Sequence, residues 1–318
     1  MLSQVVELIE NRQRFGITTH IKPDGDGVGS SLGLCWLLQS LGKSAEVFVR
    51  GTVPPSYAAL PGAGEIRDIY SIDREYDAIF VIECSDIERP GIEGLRDEFT
   101  VNIDHHATSE HFGTINWIDP TASAVGEMIY NLCKAIGGRV TREIAECVYM
   151  ALVTDTGSFH FPNTTDRTLK VASELIKAGA KPARISETVY NNYPWSRVEL
   201  MRRVMNTIKR HGDGSIASMR QTLEMRESSG AVDGDNNGFV NIPLAAREVV
   251  ASFYMREIGP NEYRVSLRSK GETNVARVAE KFGGGGHRNA AGCSIKGDWD
   301  ACEEIIAREL RAAVDGQE

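Results

Sequence analysis

The chain has 318 residues, with 35 Lys+Arg against 44 Asp+Glu for a formal net charge of −9, and 42% hydrophobic and 25% charged residues. These are globular proportions and exclude collagenous, fully disordered and disulfide-scaffold chains. At roughly 100–200 residues per domain the length implies two domains. The acidic total argues against a long grip on duplex nucleic acid, which rests on many Lys and Arg contacts to phosphate.

From the N-terminus, Val5, Leu8 and Ile9 recur at helical spacing. Glu7, Glu10, Arg12 and Arg14 interrupt this segment, so it lacks the apolar core of a signal peptide. A short strand is expected from Gly16 to Thr19 and an apolar helix from Gly29 to Leu41. Strand-like runs follow at Glu46 to Val49, Ala78 to Ile82 and Thr100 to Ile103. Strands alternating with helices point to an α/β fold with a mainly parallel sheet covered by helices on both faces, functional groups collecting at the strands' carboxyl ends.

After Pro120 helical stripes take over: Val125, Met128, Ile129, Leu132 and Ile136, then Ile144, Val148, Ala151 and Leu152, then Val198, Met201, Val204, Met205 and Ile208. These read as core packing. The Gly and Asp around His211 to Ser215 mark the approach to a smaller C-terminal α/β domain. Its strands are expected at Ile216 to Met219, Val249 to Met255 and Tyr263 to Leu267, and its closing helix carries Trp299, Cys302, Ile306 and Leu310. No run approaches the ~18 apolar residues of a membrane span. Six scattered cysteines without a C-x-x-C pair fit reduced thiols in a core and a cytoplasmic protein.

Five features carry chemistry. His20, Asp24 and Asp26 lie within seven residues after the first strand, in a Gly- and Pro-containing loop before a helix whose N-terminus suits a phosphate. Asp24 and Asp26 alone are as well explained as caps. Asp104, His105 and His106 follow another strand, and adjacent histidines after an aspartate suit a hard or borderline metal. Asp155 ends a helical stripe, and Glu83 follows the strand Ala78 to Ile82, where a carboxylate can bridge two cations. Finally, Gly283 to Gly286 with His287 and Arg288 offer backbone N–H groups and cationic donors for an anion. Asp233 to Gly238 copies the start of an EF-hand loop, but Leu244 occupies the position that needs a bidentate Glu, so it reads as a polar loop.

Taken in order, these motifs resemble the DHH phosphoesterase superfamily, with the terminal Gly-Gly-Gly-Gly-His287 and Leu267-Arg268-Ser269-Lys270 similar to its DHH-associated domain. The two-domain plan looks like the nano-RNase subgroup of bifunctional oligoribonucleases and 3′-phosphoadenosine 5′-phosphate phosphatases. The resemblance implies a catalytic domain over residues 1–190, a linker over 191–212 and a substrate-binding domain over 213–318, with the active site in the cleft between them. It implies two divalent cations, Mn²⁺ ahead of Mg²⁺: His20 and Asp24 on one, Asp26, His105 and Asp155 on the other, and residue 83 bridging. Asp104 would support the histidines, His106 would serve as the acid, and Arg268, Ser269, Gly285, Gly286, His287 and Arg288 would hold the nucleotide. Where the family usually places Asp, this chain has Glu83, longer by one carbon–carbon bond of ~1.5 Å; Asp86 is an outside candidate for the ligand.

The activity so implied is hydrolysis of short RNA or DNA oligonucleotides to mononucleotides, with removal of the 3′ phosphate of 3′-phosphoadenosine 5′-phosphate. The alternatives are a linear dinucleotide phosphodiesterase in cyclic dinucleotide turnover, or a nucleotide-binding regulator weakened by Glu83. A family II inorganic pyrophosphatase is disfavoured because the Ser-Arg-Lys-Lys signature is absent, and a processive RecJ-type exonuclease because the chain has no room for a further nucleic-acid domain. Phe159 and Phe161 flank His160 and suit either base stacking or core packing. The helical middle leaves a homodimer open, with no residue arguing for it, and no membrane is expected as a partner.

Overall fold

The computed structural model describes residues 1–316, which form two compact units, Met1–Asn192 and Tyr193–Glu318, the last two residues of the second lying outside the description. Unit 1 runs α1 (Leu2–Asn11), β1 (Arg14–Thr19), α2 (Gly25–Ser40), β2 (Ser44–Val49), β3 (Arg67–Asp68), β4 (Ala78–Ile82), β5 (Thr100–Asp104), β6 (Ile115–Ile118), α3 (Val125–Ala135), α4 (Arg142–Asp155), α5 (Asp166–Ala178) and α6 (Pro182–Tyr190). Its six strands form one parallel sheet in the order β3-β2-β1-β4-β5-β6. Every residue of β4 and β5 is buried, as a parallel sheet covered on both faces requires.

The order reverses between β1 and β4, and such a switch point opens a crevice at the carboxyl ends of the strands. Register then decides which residues meet there. Thr19 pairs with Ile82 and Ile82 with Ile103, so His20, Glu83 and Asp104 leave three adjacent strands side by side.

Helix α2 starts at Gly25, four residues before the expected start at Gly29. Glycines count against a helix, but Asp24 caps this one by accepting the Gly27 N–H. Their small size is used for packing: a Cβ at Gly29 would lie 2.5 Å from the Cys147 carbonyl oxygen of α4. The glycine-rich run thus lets α2 and α4 approach closely, which brings Asp155, at the end of α4, to Asp26 in the first turn of α2.

Unit 2 contains α7 (Trp195–Met205), β7 (Lys209–His211), β8 (Ile216–Gln221), α8 (Leu223–Ser229), β9 (Ala251–Gly259), β10 (Glu262–Ser269), α9 (Val275–Glu280), β11 (Gly285–His287), β12 (Ala290–Lys296) and α10 (Trp299–Val314). Its mixed sheet runs β11-β12-β10-β9-β8-β7, parallel only between β8 and β9. Alternate residues of β9 face opposite sides: Phe253 and Met255 pack with Val278 and Ile306 from α9 and α10, Tyr254 with Leu200 and Val204 from α7. The stretch 191–212, expected as a linker, therefore contains a helix built into the second core. The six cysteines are free and buried. Among the described residues no helix is long and apolar enough to cross a membrane.

Candidate metal centre

The carboxyl edge of the unit 1 sheet gathers His20, Asp24, Asp26, Glu83, His105, His106 and Asp155 into three donor groups able to hold a metal ion. One is His20, Asp24 and Glu83; another is Asp26, Glu83, His105 and Asp155; the third is Glu83, His105 and His106. Glu83 belongs to all three. Asp86 belongs to none: its carboxylate accepts the Glu88 and Arg89 N–H groups and closes a turn.

Both histidines of the first two groups have fixed tautomers. His20 Nδ1 lies 3.0 Å from the Ile21 carbonyl oxygen and His105 Nδ1 lies 3.1 Å from that of Ala122. A carbonyl only accepts, so each Nδ1 carries the proton and each Nε2 presents a lone pair. His20 Nε2 is 3.8 Å from Glu83 Oε2 and 4.0 Å from Asp24 Oδ1. His105 Nε2 is 3.7 Å from Asp155 Oδ2 and 3.9 Å from Asp26 Oδ2. These gaps are too long for hydrogen bonds and suit atoms on either side of a cation with bonds of about 2.1 Å. Glu83 Oε2 and His105 Nε2 are both buried without a hydrogen-bond partner. Buried orphan groups are costly, and a divalent cation satisfies both, so the residues present fit a metal.

The carboxylates are held from behind. Asp26 accepts from Ser30 Oγ at 2.6 Å, the Val125 N–H at 2.7 Å and the Gly126 N–H at 3.0 Å. Asn163 Nδ2 donates to the carbonyl and carboxylate of Asp155. Burial, only partly offset by the nearby His105, raises the pKa of Asp26. Burial and the charge of Asp26 push Asp155 up to about 7. Burial and the surrounding Asp24, Asp26 and Asp155 push Glu83 well above the usual carboxylate range. Anions crowded out of water repel one another, and cations relieve that repulsion.

Asp104 acts differently. It is fully buried and accepts from the His105 N–H, the His106 N–H and His106 Nδ1, the last at 2.8 Å. Burial alone would raise its pKa, but these bonds outweigh it and hold Asp104 low. The bond to Asp104 in turn raises His106, against the effect of burial.

Residues 14–152 match the DHH family, N-terminal domain, and residues 222–314 match the DHHA1 domain. Over 98% of its length the chain is 33% identical to the bifunctional oligoribonuclease and PAP phosphatase NrnA of Thermus thermophilus, spanning 93% of that protein. The chain belongs to the DHH family. It is also 30% identical over 96% of its length to the NrnA protein of the same description from Bacillus subtilis, spanning 97% of it. A crystal structure of an exopolyphosphatase-related protein from Bacteroides fragilis superposes with a TM-score of 0.91 at 29% identity, covering 100% of this chain and 97% of that one.

In this DHH protein Glu83 adopts a left-handed backbone, φ 57°, while its N–H still donates to the Ile103 carbonyl. Such a conformation is costly for a residue with a Cβ. The carboxylate lies so close to α2 that a Cβ at Gly27 would come within 2.9 Å of Glu83 Oε2.

The DHHA1 residues form a separate set within unit 2. Gly285, Gly286 and His287 make the exposed edge strand β11, paired with Gly292, Ala291 and Ala290 of β12. The glycines thus serve close strand contact where a free anion loop was expected: a Cβ at Gly286 would lie 2.5 Å from the Ala290 carbonyl oxygen. Arg288 pairs with Glu272. Arg268 is mostly buried, donates to the Leu267 carbonyl, and has its pKa lowered by burial. Ser269 is also buried; its hydroxyl donates to the Thr273 carbonyl and accepts from Asn289. Asp233 to Gly238 forms a turn-rich loop in which Asp233 pairs with Arg226.

Asn163, Ser30 and the Val125 and Gly126 amides were not singled out from sequence. Backbone donors leave no residue signature. Asn163 lies eight residues beyond Asp155 in a polar loop, where an Asn is unremarkable.

Proposed function

We propose that the chain is a metal-dependent phosphoesterase that hydrolyses short oligonucleotides to mononucleotides and removes the 3′ phosphate of 3′-phosphoadenosine 5′-phosphate in the cytoplasm. The observation that carries this reading is the sharing of Glu83 among all three donor groups, in a chain of the DHH family. The relatives' description as bifunctional oligoribonuclease and PAP phosphatase supports the substrate class.

His20 and Asp24 would hold one ion, Asp26, His105 and Asp155 a second, with Glu83 between them. Bound there, two divalent cations, Mn²⁺ ahead of Mg²⁺, supply the charge that acidifies a water and neutralises the phosphoryl oxygens. The protein's part is positional and protonic. Asp104 orients His106 and raises its pKa, so the ring nitrogen left free would donate a proton to the leaving oxygen. Arg268, a desolvated cation, together with His287, Arg288 and the Gly285–Gly286 backbone, would bind a second phosphate or a terminal nucleotide. Ser269 would act on that set through the Asn289 side chain it anchors.

The separation of Asp24 from Asp26 follows from the helix start: Asp24 caps α2 from outside, whereas Asp26 points into the first turn against α3 and α4. Glu83 reaches both sets from a left-handed backbone position, which supports a competent centre over a degenerate one.

The test is metal-free protein supplied with Mn²⁺ and assayed on an RNA dinucleotide, a long RNA and 3′-phosphoadenosine 5′-phosphate, with Asp26→Ala as control. Fast release of mononucleotide from the dinucleotide, slow attack on the long RNA and loss of both in the variant are expected. No turnover of any of the three would overturn the reading.

A further inference from the structure

We propose that Glu127 is a positioning residue for the candidate metal centre, acting through residues 122–126 on Asp26, His105 and Asp155, none of which it touches. The inference rests on the functional reading above and extends it to a residue outside the donor groups.

The five residues Ala122 to Gly126 meet three ligands of one donor group. The Ala122 carbonyl accepts from His105 Nδ1 at 3.1 Å and so fixes which ring nitrogen is free. The Ser123 carbonyl accepts from Asn163 Nδ2 at 2.9 Å, and the same nitrogen reaches the Asp155 carboxylate at 3.3 Å. The Val125 and Gly126 N–H groups, at the start of α3, donate to the two oxygens of Asp26. A shift of this segment would therefore move all three side chains together. Among the described residues, His20 and Asp24 of the other donor group bond elsewhere, His20 to the Ile21 carbonyl and Asp24 to the Gly27 N–H.

Glu127 holds the segment. Its carboxylate is fully buried, and its Oε2 accepts from Ser123 Oγ at 2.7 Å, the Ser123 N–H at 3.3 Å and Thr168 Oγ1 at 3.3 Å. It also pairs with Arg167, whose guanidinium donates to the Thr121 carbonyl at 2.9 Å. The turn before α3 is thus clamped to α5 from both ends. Only the carboxylate of this pair is buried, the Arg167 side chain being 43% exposed, and a half-exposed ion pair adds little to stability. Its effect here is geometric. Side chains that orient metal ligands from behind typically change affinity by about 10- to 100-fold when removed.

The experiment is a calorimetric Mn²⁺ titration of the metal-free full-length chain as wild type, Glu127→Gln and Thr168→Val, with thermal unfolding of each metal-free protein alongside. The wild type is expected to bind two ions. Glu127→Gln should weaken one of them by about 10- to 100-fold and move the other by less than about threefold. Thr168→Val, which removes one bond to Glu127 and leaves its charge, should weaken the same ion by a smaller factor. Unchanged binding in Glu127→Gln, or an equal loss at both ions as expected from a general loosening of the fold, would overturn the inference alone. A wild type that takes up no Mn²⁺ would overturn the functional reading and this inference with it. Should Glu127→Gln fail to fold, Ser123→Ala replaces it: it removes only the hydroxyl bond and should weaken the same ion by a smaller factor, and unchanged binding there would overturn the inference.

Discussion

Replacing Asp155 by Asn is expected to stabilise the metal-free protein at pH 8 while destroying its affinity for Mn²⁺. In the folded chain Asp155 is pushed from the ordinary 3.8 to about 7 by burial and by Asp26. The folded-state pKa lies above the unfolded one, so the aspartate costs nothing below about pH 4 and costs progressively more as pH rises through about 7. At about 1.4 kcal/mol per pH unit the full interval is roughly 4 kcal/mol. A quarter of the side chain is exposed, and its repulsion is shared with Asp26, so about 2 kcal/mol is the realistic gain. Asn keeps an oxygen for the Asn163 bond and carries no charge. For a unit of this size the gain corresponds to about 4–8 °C in Tm. The assay is thermal unfolding of metal-free wild type and variant at pH 4 and pH 8, with and without Mn²⁺. The gain should appear at pH 8 and not at pH 4, and Mn²⁺ should raise the Tm of the wild type only. An equal change at both pH values, or a loss at pH 8, would refute the electrostatic reasoning.

Gly27→Ala should abolish metal uptake although Ala is the better helix former by about 1 kcal/mol, because the new Cβ would crowd Thr19 Oγ1 and Glu83 Oε2 at 2.6 and 2.9 Å; retained Mn²⁺ affinity would refute the placement of Glu83. Glu83→Asp should bind Mn²⁺ more weakly, since the strand end and left-handed backbone are set for the longer side chain; affinity equal to or above wild type would contradict that. Phe159 packs on Tyr149 and the core of unit 1, whereas Phe161 is exposed. Phe159→Ala should accordingly lower the Tm of the protein, and Phe161→Ala should leave it within about 1 °C, surface changes usually costing under about 0.5 kcal/mol. Equal losses in the two variants would refute this division.

The donor residues were legible because the chemistry of a parallel sheet collects where its strands end, and His20, Glu83 and Asp104 each follow an apolar strand run. Glu127 was illegible for the opposite reason. It stands off the stripe of Val125, Met128, Ile129 and Leu132, so it reads as solvated, yet it is buried and bonded to Ser123 and to Thr168 of α5. The start of α2 was misplaced because the cost of glycine in a helix is local, while its benefit, contact with α4, is tertiary. The same limit applies to Gly283 to Gly286: glycine permits both an anion loop and a close strand pair, and pairing with β12 decides. Helix α7 lay in a stretch expected to be a linker, although its own stripe through Val204 indicated a packed helix; the fault was in the boundary, since Leu200 and Val204 pack with Met219 and Tyr254 of the second unit.

The central claim is that Glu83 joins two metal sites. Crystals of the full chain grown with Mn²⁺ and measured for anomalous scattering at the manganese edge test it directly. The account predicts two peaks, one bounded by His20, Asp24 and Glu83, the other by Asp26, Glu83, His105 and Asp155. A single peak, or a pair that leaves Glu83 uncoordinated, would contradict it.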